Sequence, residues 1–236
     1  MTQRFLTEAD LAAIEAAVRA AEARTKGEIY CVVAEQSSDY MLTPLAWAVG
    51  VALLAPALML LAGLEIPVAE WARLGQWTSG QSADAGATAR AALIGTLLLQ
   101  GVLFAGAMLL VSFGPIRRML TPRGYKRDRV RQRAEEQFLA RNLHTTRERT
   151  GVLIYLSRAE RMAELVADAG IDAKVGAEVW TRAMSVLVAG LRDGDPARGF
   201  TAAITLCGEV LAEHFPPRAD NNPDELSNSV VFLSSP

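Results

Sequence analysis

The sequence predicts an α/β protein: a three-layer α/β/α sandwich with a small mixed sheet, interrupted by a two-helix transmembrane hairpin. Three observations predict it. Two long uncharged apolar blocks stand at 42–64 and 91–113. Short β-rich runs and amphipathic helical patterns lie on both sides of those blocks. The elements before the blocks are too few to form a stable layer alone, so they must combine with those after them.

The N-terminal piece opens with a helix signature. Thr7 is a candidate N-cap with Asp10 at the third helical position, and Leu6 can staple onto Leu11. Leu11, Ile14 and Val18 line one face, and Gly27 is a natural C-cap. The run Glu28 to Ala34 (EIYCVVA) then reads as a buried strand.

Leu42 to Leu64 carries no charge, and at 1.5 Å per residue it reaches roughly 34 Å, enough to cross a hydrocarbon core of about 30 Å. Ala91 to Phe113 is equally uncharged. Pro56 would kink the first span, and Gly101 and Gly106 would let the spans pack closely. Arg117, Arg118, Arg123, Lys126, Arg127, Arg129, Arg131 and Arg133 follow the second span, opposed locally only by Asp128. The connecting loop holds Arg73 and Arg90 against Glu65, Glu70 and Asp84. The positive-inside rule therefore places both termini in the cytoplasm. Trp47, Trp71 and Trp77 fall near the expected interfaces. The basic cluster is explained by topology and contact with anionic lipid, so the lipid bilayer is an expected partner and nucleic acid is not. No basic n-region followed by an apolar h-region opens the chain, so the internal spans are expected to direct insertion.

Beyond the hairpin the pattern predicts a helix over 126–143, with Val130, Ala134, Phe138 and Leu139 on or near one face. Strands follow at 151–157 (GVLIYLS) and 162–168 (MAELVAD), joined by a tight reversal at 158–161. A helix is expected over 177–191. Asp195 then caps a last helix, with Pro196 at its first position, that runs to about His214. Val230 to Leu233 can add a short edge strand. The domain thus comprises 1–40 plus 117–217, the hairpin 41–116, and a polar tail 218–236.

The 236 residues are 51% apolar with a net charge of -2, and the apolar excess sits in the two blocks. Cys31 and Cys207 lie in apolar surroundings without metal or disulfide spacing, which marks inert core thiols. Neither is followed by the arginine-bearing loop of a cysteine phosphatase. Asp193-Gly-Asp195 has the spacing of an aspartyl phosphatase but follows a helix rather than a strand. His144 and His214 lack a neighbouring ligand or nucleophile, and no phosphate-binding or nucleophile-elbow motif is present.

Three stretches carry a family likeness: LTEADLAAIEAAVRAAEARTKGEIYCVV, TGVLIYLSRAERMAELVADAGID, and a final helical pair ending HFPPR. Together they resemble the TPM domain, named after a thylakoid lumen protein, a photosystem II-associated protein and a nematode receptor modulator. The chain also resembles a bacterial membrane branch of that family with a hairpin inserted in the domain. The resemblance implies a three- or four-stranded α/β/α sandwich. It also implies two activities: weak acid phosphatase, or a calcium-binding or partner-binding module in membrane protein assembly and repair. Of the family's usual GYGLEG turn, Gly170 and Asp172 keep the second glycine and the acidic residue, while Asp168 replaces the first glycine.

The remaining acidic constellation is Asp168 and Asp172 after the third strand, with Asp39 and Glu35 after the first. If those two strands ran parallel, their carboxyl ends would converge, and Asp168, Asp172 and Asp39 could ligate a hard cation such as calcium. The expectation is a non-enzymatic docking or quality-control factor for membrane proteins in a bacterial inner membrane. The alternative is a metal-assisted acid phosphatase, and the partner protein and oligomeric state stay open.

Overall fold

The computed structural model describes residues 5–63, 85–146, 149–172, 174–217 and 226–235. In chain order the elements are α1 (Glu8–Glu22), β1 (Glu28–Ala34), α2 (Leu42–Leu61), α3 (Ala85–Ser112), α4 (Gly114–Leu120) and α5 (Arg123–Ala140). A 3-10 turn at Leu143–Thr145 precedes β2 (Gly151–Ser157) and β3 (Met162–Ala167). Then come α6 (Ala169–Asp172), α7 (Ala177–Arg192), α8 (Pro196–His214) and β4 (Val231–Leu233). They form two units: 1–39 with 123–236, and 40–122.

In the first unit, four strands lie in the order β3-β2-β1-β4. β1 pairs in parallel with β2, Glu28 opposite Gly151 and Ala34 opposite Ser157. β4 adds in parallel along Val32–Ala34, and β3 runs antiparallel to β2. β1 and β2 are buried along their whole length, as central strands covered on both faces must be. Their side chains alternate. Ile29, Cys31, Val33, Val152, Ile154 and Leu156 join a core with α1, α7 and α8. Tyr30, Val32, Ala34, Leu153 and Tyr155 meet Val130, Ala134 and Phe138 of α5 on the other face. The three-layer mixed sandwich expected from the sequence is the one found.

Several boundaries have local causes. The Thr7–Asp10 capping box forms as expected. α1 nevertheless stops at Glu22 rather than Gly27, because Thr25 and Lys26 are drawn to the end of α8, both donating to the Phe215 carbonyl. α5 starts at Arg123, three residues before the expected point, since Thr121 takes the extended backbone favoured ahead of Pro122. It ends when Asn142 turns left-handed, with φ of 56°. The stretch after β3 is a short helix, α6, rather than an open turn. The tail set apart at 218–236 contains β4 and so belongs to the α/β unit.

In the second unit, α2 and α3 each hold 20 residues long and apolar enough to cross a membrane. On α2 the residues shielded from solvent include Pro44, Ala48, Ala52 and Pro56, a stripe of small side chains at four-residue spacing. Gly101 and Gly106 do not provide the close approach expected of them: both are exposed, with open space where a Cβ would stand. The small face belongs to α2 instead. At the base of the hairpin, Thr43 and Thr121 share a hydroxyl hydrogen bond of 3.1 Å, and Trp47 Nε1 donates to the Leu120 carbonyl at 3.3 Å. Trp71, Trp77, Glu65, Glu70, Arg73 and Asp84 lie outside the described residues.

Candidate functional site

Parallel strands β2, β1 and β4 bring their carboxyl ends to one edge of the α/β unit, where open α/β sheets collect ligands. The chain closes this edge with backbone first. Arg158 N–H donates to the Ala34 carbonyl and Ala159 N–H to that of Glu35, each at 3.0 Å. The β2–β3 reversal is tightened by Arg161, with φ of 52°.

Four side chains then form one hydrogen-bonded chain. Ser37 Oγ donates to Ser157 Oγ at 2.9 Å, and Ser157 in turn donates to the Glu160 carboxylate. With the Ser37 proton committed, Tyr155 is the donor in its 3.1 Å contact to Ser37 Oγ. Ser37 N–H also reaches Glu160 at 3.3 Å. Donation therefore runs one way, from Tyr155 through two serines to a carboxylate. Tyr155 and Ser157 are fully buried. Burial raises the Tyr155 phenol above its ordinary range, the Ser37 hydrogen bond pulling weakly the other way, so the ring stays neutral and able to donate. The sequence reading missed this network. Only Ser157 ends a strand, with Glu160 three residues on, while Ser37 lies three residues past the end of β1, so no local pattern joins them.

Beside it is an open cleft of about 250 Å³ lined by Val33, Glu35, Arg158, Phe232, Leu233 and Ser234. The Arg158 guanidinium stacks 4.4 Å from the centre of the Phe5 ring. Ser235 Oγ lies 3.5 Å from the Glu35 carboxylate.

Asp39 and Asp168 do not converge as expected. β3 runs antiparallel to β2, and hence to β1, so Asp168 sits level with Gly151 at the opposite end of the sheet from the exposed Asp39. A seven-residue strand separates those ends by about 20 Å. Asp168 N–H donates to the Gly151 carbonyl at 3.0 Å. Its side chain is 5% exposed, and Oδ2 meets no hydrogen-bond partner among the described residues. The Asp172 side chain lies outside the described residues. Among those described, no group of three or more His, Cys, Asp or Glu is placed to hold a metal. Calcium takes roughly six to eight oxygens, and the described part of this turn offers one buried carboxylate.

Other candidates settle as structural parts. Asp195 caps α8, accepting from Arg198 N–H at 3.0 Å. His144 and His214 are exposed. Both cysteines are free and buried, burial pushing the Cys207 thiol up to about 12 and Cys31 up as well, so neither offers a thiolate.

Residues 117–210 match the family model described as TPM domain, the family whose likeness the strand and turn residues carry. The solved structures include a similar one, the NMR structure of BA42 protein from the psychrophilic bacterium Bizionia argentinensis sp. nov.. It shares 18% identity at a TM-score of 0.55, covering 99% of each chain, and that likeness speaks for the fold. No curated protein sequence matches the chain.

Proposed function

We propose that this protein is a membrane-anchored docking module. The hairpin holds a cytoplasmic TPM domain at a bacterial inner membrane, with both termini cytoplasmic, where the domain receives other membrane proteins during assembly or quality control. One observation carries the reading: the polar groups at the ligand-collecting edge are spent on one another. Tyr155, Ser37 and Ser157 pass their protons along an internal chain that ends on Glu160, which suits a rigid binding surface better than a reactive centre. The run of basic residues from Arg117 to Arg133 supports the orientation.

The test is photo-crosslinking in cells, with the reactive side chain at exposed Arg131 or Arg182 of the domain and at lipid-facing Leu98 of the hairpin. Discrete protein adducts from the domain positions are the expected result. Adducts to lipid alone would refute the reading.

A cation-dependent hydrolase at the turn after β3 has one observation in its favour, the buried unpartnered Asp168 Oδ2. It requires the melting temperature to rise with calcium in the unmodified chain and not in Asp168→Asn. It also requires phosphatase activity lost in the same variant. Indifference to calcium in both proteins would dispose of it.

A further inference from the structure

The unmatched side of β1 shows how a partner would be held. Successive residues of a strand point their N–H groups to opposite sides. Glu28 N–H bonds to the Thr150 carbonyl at 3.1 Å on the β2 side, so Ile29, Cys31, Val33 and Glu35 present theirs to the outer edge. That edge is closed in pieces. The Glu22 carboxylate accepts from Ile29 N–H at 2.8 Å, and the Leu233 carbonyl accepts from Glu35 N–H at 3.0 Å. Between them β4 covers only Val32–Ala34.

β4 is a weak cover. It is three residues long, none of them fully buried, and Phe232 at its centre is 51% exposed. Its anchors are Val231 and Leu233, which pack on the α5-side core beside Val32 and Ala34. It belongs to the same chain as β1, and that linkage alone lets a short, weak strand hold its place at an effective concentration of about a millimolar. The cleft of Val33, Glu35, Arg158 and Ser234 continues the same line past Leu233. Among the described residues, Arg158 there has no carboxylate partner.

We propose that the outer edge of β1 is a docking groove for an extended segment of a partner polypeptide, and that β4 is a displaceable occupant of it. The segment runs parallel to β1, carries apolar side chains at alternate positions where Val231 and Leu233 now sit, and places an acidic residue just beyond them against Arg158. β4 itself is the evidence for the pattern that fits, since it supplies the backbone pairing and the two anchors. A partner pairing along more than three residues gains ladder bonds that β4 does not make. The proposal rests on the docking reading for its partner, but its test reads β4 directly.

The experiment uses the full chain in nanodiscs. Hydrogen exchange is followed for 226–235 and for 151–157 by mass spectrometry. The β4 segment is expected to exchange at least about 100-fold faster, through local opening that leaves the rest of the sheet closed. Equal protection would make β4 an integral strand and overturn the proposal. A fluorescein-labelled peptide of sequence SNSVVFLDS, which places an acid where Ser234 lines the cleft with Arg158, is then titrated onto the chain and onto Val231→Asp/Leu233→Asp. Release of β4 should tighten binding at least about tenfold, with a scrambled peptide inert. Equal binding to both chains would overturn the groove, and so would loss of the cooperative melt in the double variant. A dimer that exchanges β4 between copies would overturn the partner assignment in favour of self-assembly. Failure of the crosslinking test in cells would leave all of these readouts unchanged, so the two readings fail separately.

Discussion

Replacing Gly190 with alanine sets helix propensity against packing, and the structure decides the sign. Within a helix, Gly→Ala gains up to about 1 kcal/mol on propensity alone. Gly190 lies near the end of α7, where the chain turns into α8. A Cβ there would stand 2.6 Å from Gly199 Cα, 2.8 Å from Gly199 N and 2.9 Å from the Asp195 carbonyl oxygen. All three are backbone atoms and cannot swing aside. Reaching ordinary contact requires α7 and α8 to separate by about 1 Å, a gap that forfeits a quarter to a half of each dispersion contact along the seam. Leu187, Phe200 and Ala203, all fully buried, lie in the core these helices close. Overpacking of this kind costs about 1–3 kcal/mol, so the net expectation is a loss of about 1–2 kcal/mol. Gly124, at the start of α5 with open space around it, is the control: alanine there should be neutral or mildly stabilising. Urea unfolding of the α/β unit, followed by circular dichroism in mild detergent, reads both. At a slope of about 2 kcal/mol per molar, Gly190→Ala should lower the midpoint by roughly 0.5–1 M. A midpoint equal to or above that of the parent would refute the close approach of α7 and α8.

Three further outcomes are expected. In the hydroxyl chain, Glu160→Ala strands the Ser157 hydroxyl and Ser37 N–H and should cost about 1–3 kcal/mol, whereas Tyr155→Phe removes a single donor and should cost about 1; thermal melts rank them. Glu22→Leu leaves the Ile29 N–H without its acceptor and should cost about 1–3 kcal/mol, while Glu22→Gln retains a carbonyl there and should cost clearly less; equal losses would remove the edge-closing role. Burial raises the Glu164 carboxyl above its ordinary range, with Arg131 and Arg127 opposing. The folded form therefore holds that proton more tightly than the unfolded one, and the associated stability is fully present in acid and fades as pH rises through the folded value. Glu164→Gln should accordingly flatten this fall, matching the parent in acid and melting higher at neutral pH; parallel profiles would contradict the assignment.

The parts legible in the sequence were those governed by local chemistry. Thr7 and Asp10 announced a capping box, Asp195-Pro196 a helix start, and the apolar runs at 28–34 and 151–157 two central strands, because caps and periodicities act within a few residues. What failed depended on pairing across the chain. Whether Asp39 meets Asp168 turns on the direction of β3, set by the four-residue reversal at 158–161, which favours an antiparallel hairpin over a crossover. The end of α1 was misread at Gly27 because the competing hydrogen bonds come from Phe215, 190 residues away from Thr25. The network of Ser37 with Tyr155 and Ser157 was invisible for the same reason: single serines carry no periodic signal until the fold unites them. In the hairpin, glycines suggested the contact face, yet the structure turns Gly101 and Gly106 outward and buries prolines and alanines instead.

The inserted hairpin also sets the order in which this domain can come into being. Ser37 and Tyr155 are 118 residues apart, so β1 leaves the ribosome long before its partner strand exists. At about 5–20 residues per second that delay is on the order of 6–24 s, during which β1 has neither neighbour. Both apolar helices emerge in that interval. Once they pair, the Thr43–Thr121 contact ties together positions 78 residues apart and shortens the loop that β1 and β2 must close. On a logarithmic dependence of closure entropy on length, this favours the pairing by about 1 kcal/mol. Pairing of the two apolar helices is thus a step in folding the α/β unit. A chain whose two apolar helices failed to pair would leave β1 a bare apolar strand with the full length of loop still to close.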